Sequence, residues 1–244
     1  MKNTEKKIVS WIKSKVKNAK AKGIVLGISG GVDSSVIAAL SQKAVGAKNL
    51  LCIIMPCHSP SQDFADAQLL KRKFKLKTKL VDLTKVYDTF LSILPQADAK
   101  TKGNIRARLR MITLYYFANK LNYLVAGTGN KSELYAGYFT KYGDAGVDIL
   151  PIADLYKTQV RELARSLKIP ERIIEKPPSA GLWPGQTDEG EMGITYAELD
   201  CALSCILLGK KRSGIGKERA IKKLIAATEH KRKLPAICYL RSKG

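Results

Sequence analysis

The 244-residue chain is poor in acids, histidine and tryptophan: 21 Asp and Glu stand against 43 Lys and Arg, with two histidines and two tryptophans. Its five cysteines, Cys52, Cys57, Cys201, Cys205 and Cys238, form an odd set without a Cys-x-x-Cys pair, and only His58 and His230 could join them as soft ligands. That argues against a structural zinc site and against a disulfide-stapled framework. Cys52 reads as part of a buried strand, and Cys201 and Cys205, four apart on one helix face, as small apolar residues. Apolar runs are short: Leu50 to Cys57 falls far below the roughly 20 residues of a membrane-spanning helix. The N-terminus, MKNTEKKIVSWIKSK, is broken by lysine every few residues and lacks the apolar stretch of a secretory signal. A soluble, reduced, cytoplasmic chain without a membrane partner is expected.

What is present is a core and an excess of positive charge. A hydrophobic content of 45% supports a packed globular domain, and a formal charge of +22 makes anions the expected company. Residues 1–244 read as one domain, because no internal repeat, low-complexity linker or composition shift divides them.

Ile8, Trp11, Ile12 and Val16 recur at helical spacing, with lysines on the other face. The period then changes. Gly23 to Ile28 is a short β-branched run followed by a tight loop and an Ala/Leu/Ile-rich helix to Val45. Strands over Leu50–Met55, Leu76–Leu83 and Tyr123–Gly127 alternate with helices over Asp63–Phe74 and Asn104–Leu121. That rhythm predicts an α/β fold, a doubly wound parallel sheet flanked by helices. The chain is irregular from Gly127 to Pro151. Helices resume over Thr158–Leu167, Tyr196–Leu208 and Ile215–Ala227.

Ser29-Gly30-Gly31-Val32-Asp33-Ser34-Ser35 sits where the first strand hands over to a helix, the edge at which open parallel sheets bind ligands. Two glycines clear the backbone for a phosphate, the helix start offers amides, and Ser29, Ser34 and Ser35 offer hydroxyls. No lysine follows the glycines. A carboxylate, Asp33, stands there instead, which makes sense beside phosphates if a divalent metal lies between them.

GISGGVDSS resembles the pyrophosphate-binding signature of ATP pyrophosphatases that cleave between the α and β phosphates, a superfamily with a Rossmann-like, adenine nucleotide alpha hydrolase-like fold. Lys102-Gly-Asn-Ile-Arg-Ala-Arg-Leu-Arg-Met111, Ala126-Gly-Thr-Gly-Asn-Lys-Ser-Glu133, Gly137-Tyr-Phe-Thr-Lys-Tyr-Gly-Asp144 with Val147-Asp-Ile149, and Leu155-Tyr-Lys-Thr-Gln-Val160 resemble the NAD synthetase family within it. The similarity runs on through Lys176-Pro-Pro-Ser-Ala180 to Thr228-Glu-His-Lys-Arg232.

The resemblance implies a ligase that amidates deamido-NAD with ammonia and ATP, giving NAD, AMP and pyrophosphate through an acyl adenylate. It implies ATP contacts at Gly27, Ile28, Ser29, Gly30, Gly31, Val32, Asp33, Ser34, Thr128, Lys157 and Ser179. Mg²⁺ falls to Asp33 and Glu133. Deamido-NAD falls to Arg108, Lys141, Asp148, His230 and Lys231. Lys157 is expected to offset charge on the phosphates, and Asp144 to orient or deprotonate the incoming ammonium. Ala145 stands where the family commonly has the first glycine of a Gly-Gly pair. Glutamine-using members carry an N-terminal amidase domain; only 22 residues precede Gly23 here, so no glutaminase domain and free ammonia are expected. A homodimer is expected as well, with the N-terminal helix and Asn104–Leu121 as candidate contacts.

Arg106, Arg108 and Arg110 lie two apart, which points neighbours in different directions around a helix, so one or two can face a single ligand. Two rival functions remain. A tRNA-modifying ATP pyrophosphatase would share the loop at Ser29. An RNA-binding protein would use the tail from Lys210 to Gly244, where 12 Lys and Arg face only Glu218 and Glu229. The tail lacks an RNA-binding module, so nucleic acid is not the expected partner.

Overall fold

A computed structural model of the chain describes residues 1–183, 185–209 and 216–240. Four strands, β1 (Gly23–Gly27), β2 (Leu50–Ile54), β3 (Thr78–Leu80) and β4 (Tyr123–Val125), form one parallel sheet in the order β3-β2-β1-β4. Register is set by pairs such as Val25 with Leu51 on one side and Val25 with Val125 on the other. Alternate residues of β1 leave in opposite directions: Ile24 and Leu26 join one core, Val25 the other. Both faces of the central strand β1 are therefore buried, as a parallel sheet requires.

The first core gathers α1 (Lys2–Asn18), α2 (Val32–Val45), α3 (Ser61–Phe74) and α7 (Lys157–Ser166). The second holds α4 (Thr84–Ser92) and α5 (Ala99–Leu121) through Tyr87, Leu114 and Ala118. Connections β1-α2-β2 and β2-α3-β3 cover one face, whereas α5 reaches β4 over the other. The strand order thus reverses between β1 and β4, which opens a crevice at their C-terminal ends. A third cluster, under α6 (Lys131–Ala136), α10 (Tyr196–Leu207) and α11 (Glu218–Ala227), closes one side of that crevice.

Several expectations shift. α5 starts at Ala99, because Asp98 caps it by accepting from Thr101 N at 2.7 Å. α4 lies where no helix is predicted, since its apolar Val86 and Phe90 face outward, 52% and 41% exposed. Ile12 of α1 is fully buried against the chain's own core with Ile8 and Val16 packed beside it, whereas Trp11 of the same stripe is 40% exposed. Cys201 is exposed on α10, where Ala202 and Leu203 turn inward, so it is not a core residue. The start of the helix predicted from Ile215, and residues 210–215 and 241–244 of the basic tail, lie outside the described residues. Among the described residues no helix is long and apolar enough to cross a membrane.

Candidate active site

The loop after β1 is shaped from within. Gly30 has φ 79°, and a Cβ there would come within 2.5 Å of the Asp63 carbonyl oxygen, so only glycine fits. Ser34 Oγ and Ser35 Oγ both donate to Gly31 O, at 3.0 and 2.7 Å. Ser35 is fully buried and does not line the cleft, which corrects its expected role as a phosphate donor. Gly30 likewise turns toward α3; Gly27, Ile28, Ser29, Gly31, Val32, Asp33 and Ser34 line the cleft.

Asp33, in the first turn of α2, meets residues from two distant elements. Lys157 Nζ, at the start of α7, lies 2.5 Å from Asp33 Oδ2 and 3.2 Å from Glu133 Oε1. The cation missing from the loop itself is thus supplied 124 positions later in the chain. Asn130 ties the group together: its Nδ2 donates to Asp33 Oδ1 at 3.0 Å, while its Oδ1 accepts from Glu133 N and its own N–H donates to Glu133 Oε2. That reciprocal cap fixes the first turn of α6, and hence Glu133.

Lys157 is held from behind. Its backbone N–H donates to Ser132 Oγ, which in turn donates to Asp200, and the other carboxylate oxygen of Asp200 accepts from Thr158 N at 2.9 Å. Asp200 therefore sits as an anion at the N-terminus of α7. Tyr196, fully buried, lies beneath the ammonium at 5.1 Å and donates to Asp188 Oδ2 at 2.9 Å. Asp188 is itself buried, and among the described residues its Oδ1 has no hydrogen-bond partner. Sequence reading missed Asn130, Asp188 and Tyr196; the only signal for Asn130 was its place three residues before Glu133.

Electrostatics follow from this crowding. Burial pushes the Glu133 carboxyl up to about 7, against the pull of Lys157. Burial also raises Asp188. For Lys157 burial acts to lower the pKa, but the charges of Asp33 and Glu133 outweigh it and hold the ammonium protonated.

On the opposite lip, Arg108 donates to Lys141 O at 3.3 Å, Lys141 Nζ to His230 O at 2.6 Å, and Lys231 Nζ to Gly137 O and Phe139 O. Asp144 accepts from Thr140 N at 2.7 Å and lines the cleft, and the mass around it raises its carboxyl although it keeps solvent access. Thr128 and Ser179 line the cleft too; Ser179 Oγ donates to Gln186 O. Asp148 does not line it: Val125 N and Tyr115 OH donate to its two oxygens, at 2.8 and 3.0 Å. The left-handed residue of this loop is Tyr142 (φ 58°), not Ala145, so the alanine brings no backbone strain. All three arginines, Arg106, Arg108 and Arg110, line the cleft, one more than the two-residue spacing suggested. The cleft as a whole encloses about 1540 Å³.

This architecture makes the chain an adenine nucleotide alpha hydrolase-like protein, with a crevice at the reversal of strand order. A family model described as NAD synthase matches residues 4–235. An NH(3)-dependent NAD(+) synthetase of Carboxydothermus hydrogenoformans is 48% identical over 95% of each chain. Among solved structures, NMN synthetase from Francisella tularensis superposes with a TM-score of 0.88 at 41% identity, covering 97% of this chain and 98% of the other. NH3-dependent NAD synthetase from Campylobacter jejuni gives 0.82 at 30% identity over 98% and 99%. The chain belongs to the NAD synthase family and is, like those relatives, an ATP-using ligase.

Proposed function

We propose that the cleft amidates deamido-NAD with ammonia by first adenylating the acid. The observation that carries this reading is the Asp33–Lys157–Glu133 cluster set against the glycine-rich turn at the sheet edge. A carboxylate resists attack by an amine because its charge and resonance both oppose it, so one oxygen has to become a leaving group. A nicotinate oxygen attacks the α-phosphorus of ATP, the bond to the β-phosphate breaks, and pyrophosphate departs into the loop at Ser29–Ser34. Ammonia then adds to the acyl carbon, the bond to AMP breaks, and a proton leaves toward Asp144. Lys157 counters charge on the phosphates throughout, and Thr128 and Ser179 border the nucleotide. The chain supplies position and charge and needs no covalent nucleophile.

Mg²⁺ fits this group. Three acids, Asp33, Glu133 and Asp188, act on one ammonium, and among the described residues Asp188 Oδ1 is buried without a partner, a surplus of negative charge that suits a hard divalent ion. Among the described residues no three His, Cys, Asp or Glu side chains form a metal cage. Mg²⁺ needs only one or two carboxylates, the rest coming from water and substrate phosphates. Asp33 and Glu133 are the residues that would hold it, and its chemistry there is to neutralise phosphate charge.

Arg108, Lys141, His230 and Lys231 form the dinucleotide lip. Asp148 stands outside the single-chain cleft, which fits a dinucleotide site completed by a second copy. The outer faces of α4 and α5, which pack on each other, support that dimer: Ile93, just after α4, is 74% exposed, and Ile112 and Tyr116 of α5 are 58% and 59% exposed. Changing Ile112 and Tyr116 together to aspartate gives a monomer by light scattering, with NAD formation lost; a dimer of unchanged activity would rule this face out.

The test of the reaction is NAD and AMP formation from ATP, deamido-NAD, Mg²⁺ and ammonium, with AMP and NAD in equal amounts. No turnover would refute it. The Francisella tularensis protein supports a second substrate, nicotinate mononucleotide, for the same chemistry. Competing the two acids decides between them by their kcat/KM ratio.

A further inference from the structure

The two arginines that the sequence resemblance leaves unassigned stand in an unusual setting. α5 precedes β4 and therefore runs antiparallel to the strands, which carries its N-terminal half past the C-terminal sheet edge and over the crevice. Arg106 and Arg110 are four apart on that half and share one face. Both line the cleft. Among the described residues, neither has a carboxylate within 4 Å, whereas Arg165 and Arg172 each pair with one.

Their present partners are neutral. Arg106 donates to Leu182 O at 2.8 Å and lies 4.8 Å over the Tyr87 ring, and among the described residues its buried Nε has no partner. Arg110 donates to Met55 O at 3.3 Å and to Ser59 Oγ at 3.4 Å, both long for hydrogen bonds. Burial acts against the charge on Arg110, and Arg106 beside it adds repulsion; Asp144 and Asp63 attract it only from a distance. Both side chains are half-buried, and two partly desolvated like charges without a counter-ion weaken a fold. Their retention at the floor of a nucleotide cleft is explained if the counter-ion arrives with the ligand.

We infer that Arg106 and Arg110 form an anion clamp that takes a phosphoryl group of a bound substrate. The inference rests on the cleft being the substrate site proposed above. A guanidinium fork grips two phosphoryl oxygens at once, and a pair four residues apart offers two forks to one group. The phosphoryl group has two sources: the triphosphate of ATP, or the pyrophosphate bridge of the dinucleotide.

Arg110→Met separates a ligand role from a structural one. The variant is melted alone, and with inorganic pyrophosphate, a non-hydrolysable ATP analogue or deamido-NAD added singly; affinities are then measured by calorimetry. The clamp predicts that the free variant melts at or above the wild-type temperature, because a half-buried charge without a counter-ion has gone. It also predicts about tenfold or greater weakening for the nucleotide or for the dinucleotide, and whichever weakens is the source. Arg110→Lys keeps the charge without the fork and falls between. Arg165→Gln, an exposed control, leaves both affinities unchanged. Wild-type affinity for both ligands in Arg110→Met overturns the clamp; should that variant not fold, the same result in Arg110→Lys does. If the wild type binds pyrophosphate through Arg110 yet makes no NAD, the clamp stands and the proposed reaction falls.

Discussion

Lys157→Met loses NAD formation by a factor of about 10² to 10³ or more and unfolds well below the wild type. Lys157 is 2% exposed and sits between Asp33 and Glu133, with Asp188 behind Tyr196 on the far side. Removing one partner of a buried ion pair costs about 3–5 kcal/mol, because the remaining charge is left uncompensated in a poorly solvating site. For a chain of this size that is a fall of roughly 6–20 °C in melting temperature. Methionine keeps most of the volume, so the loss reports charge and not a cavity.

The same variant tests the proposed metal. With the ammonium gone, the acids lack the one cation that pairs with them among the described residues, and Mg²⁺ should raise the melting temperature of Lys157→Met by more than it raises that of the wild type. Equal shifts in the two proteins would separate Mg²⁺ from this cluster. Lys157→Arg restores stability only in part, since a planar guanidinium in a space closed by Asn130, Tyr196 and the α6 cap cannot repeat the contacts of a compact ammonium. An active, normally melting Lys157→Met would remove the lysine from the chemistry and from the fold's electrostatic balance alike.

The parts of this site that were legible in sequence are those encoded locally. Gly23 to Asp33 announces a strand, a turn and a helix because glycine punctuates an apolar run, and the structure places β1 and α2 there. The parallel sheet followed from the alternation of short apolar runs with helical stretches. Asn130 was not legible, because its work is a contact with a residue 97 positions away. Asp188 lies in a five-residue helix, α9 (Asp188–Met192), whose single turn carries no periodic signal. Arg106 and Arg110 illustrate a subtler failure: comparing neighbours two apart hid the four-residue spacing that aligns the outer pair. α4 escaped because apolar residues that face outward mimic no core stripe.

Asp66→Asn is destabilised by about 2–4 kcal/mol at neutral pH, and the deficit vanishes in acid. The Asp66 side chain is 2% exposed; its Oδ1 lies 2.7 Å from Arg172 and its Oδ2 2.8 Å from Lys176, with Gln62 also donating to it. Burial alone would raise its carboxyl, but the hydrogen bond and charge of Lys176, with Gln62 and Arg172, outweigh that and hold it below the ordinary aspartate value. A depressed folded pKa means that the unfolded chain takes up the proton first as pH falls. The stabilisation is therefore fully present above the unfolded value of about 3.9, and drains away as pH drops through the folded one. Urea midpoints of the two proteins should differ clearly at neutral pH and converge in strong acid; a constant gap would assign the loss to packing instead of charge. The consequence reaches the nucleotide. Lys176 also holds Asp63, whose carbonyl abuts Gly30, and it begins the segment that carries Ser179 to the cleft. Loosening this knot should raise the KM for ATP while leaving kcat nearly unchanged, since Asp33, Glu133 and Lys157 are anchored separately by Asn130 and Asp200.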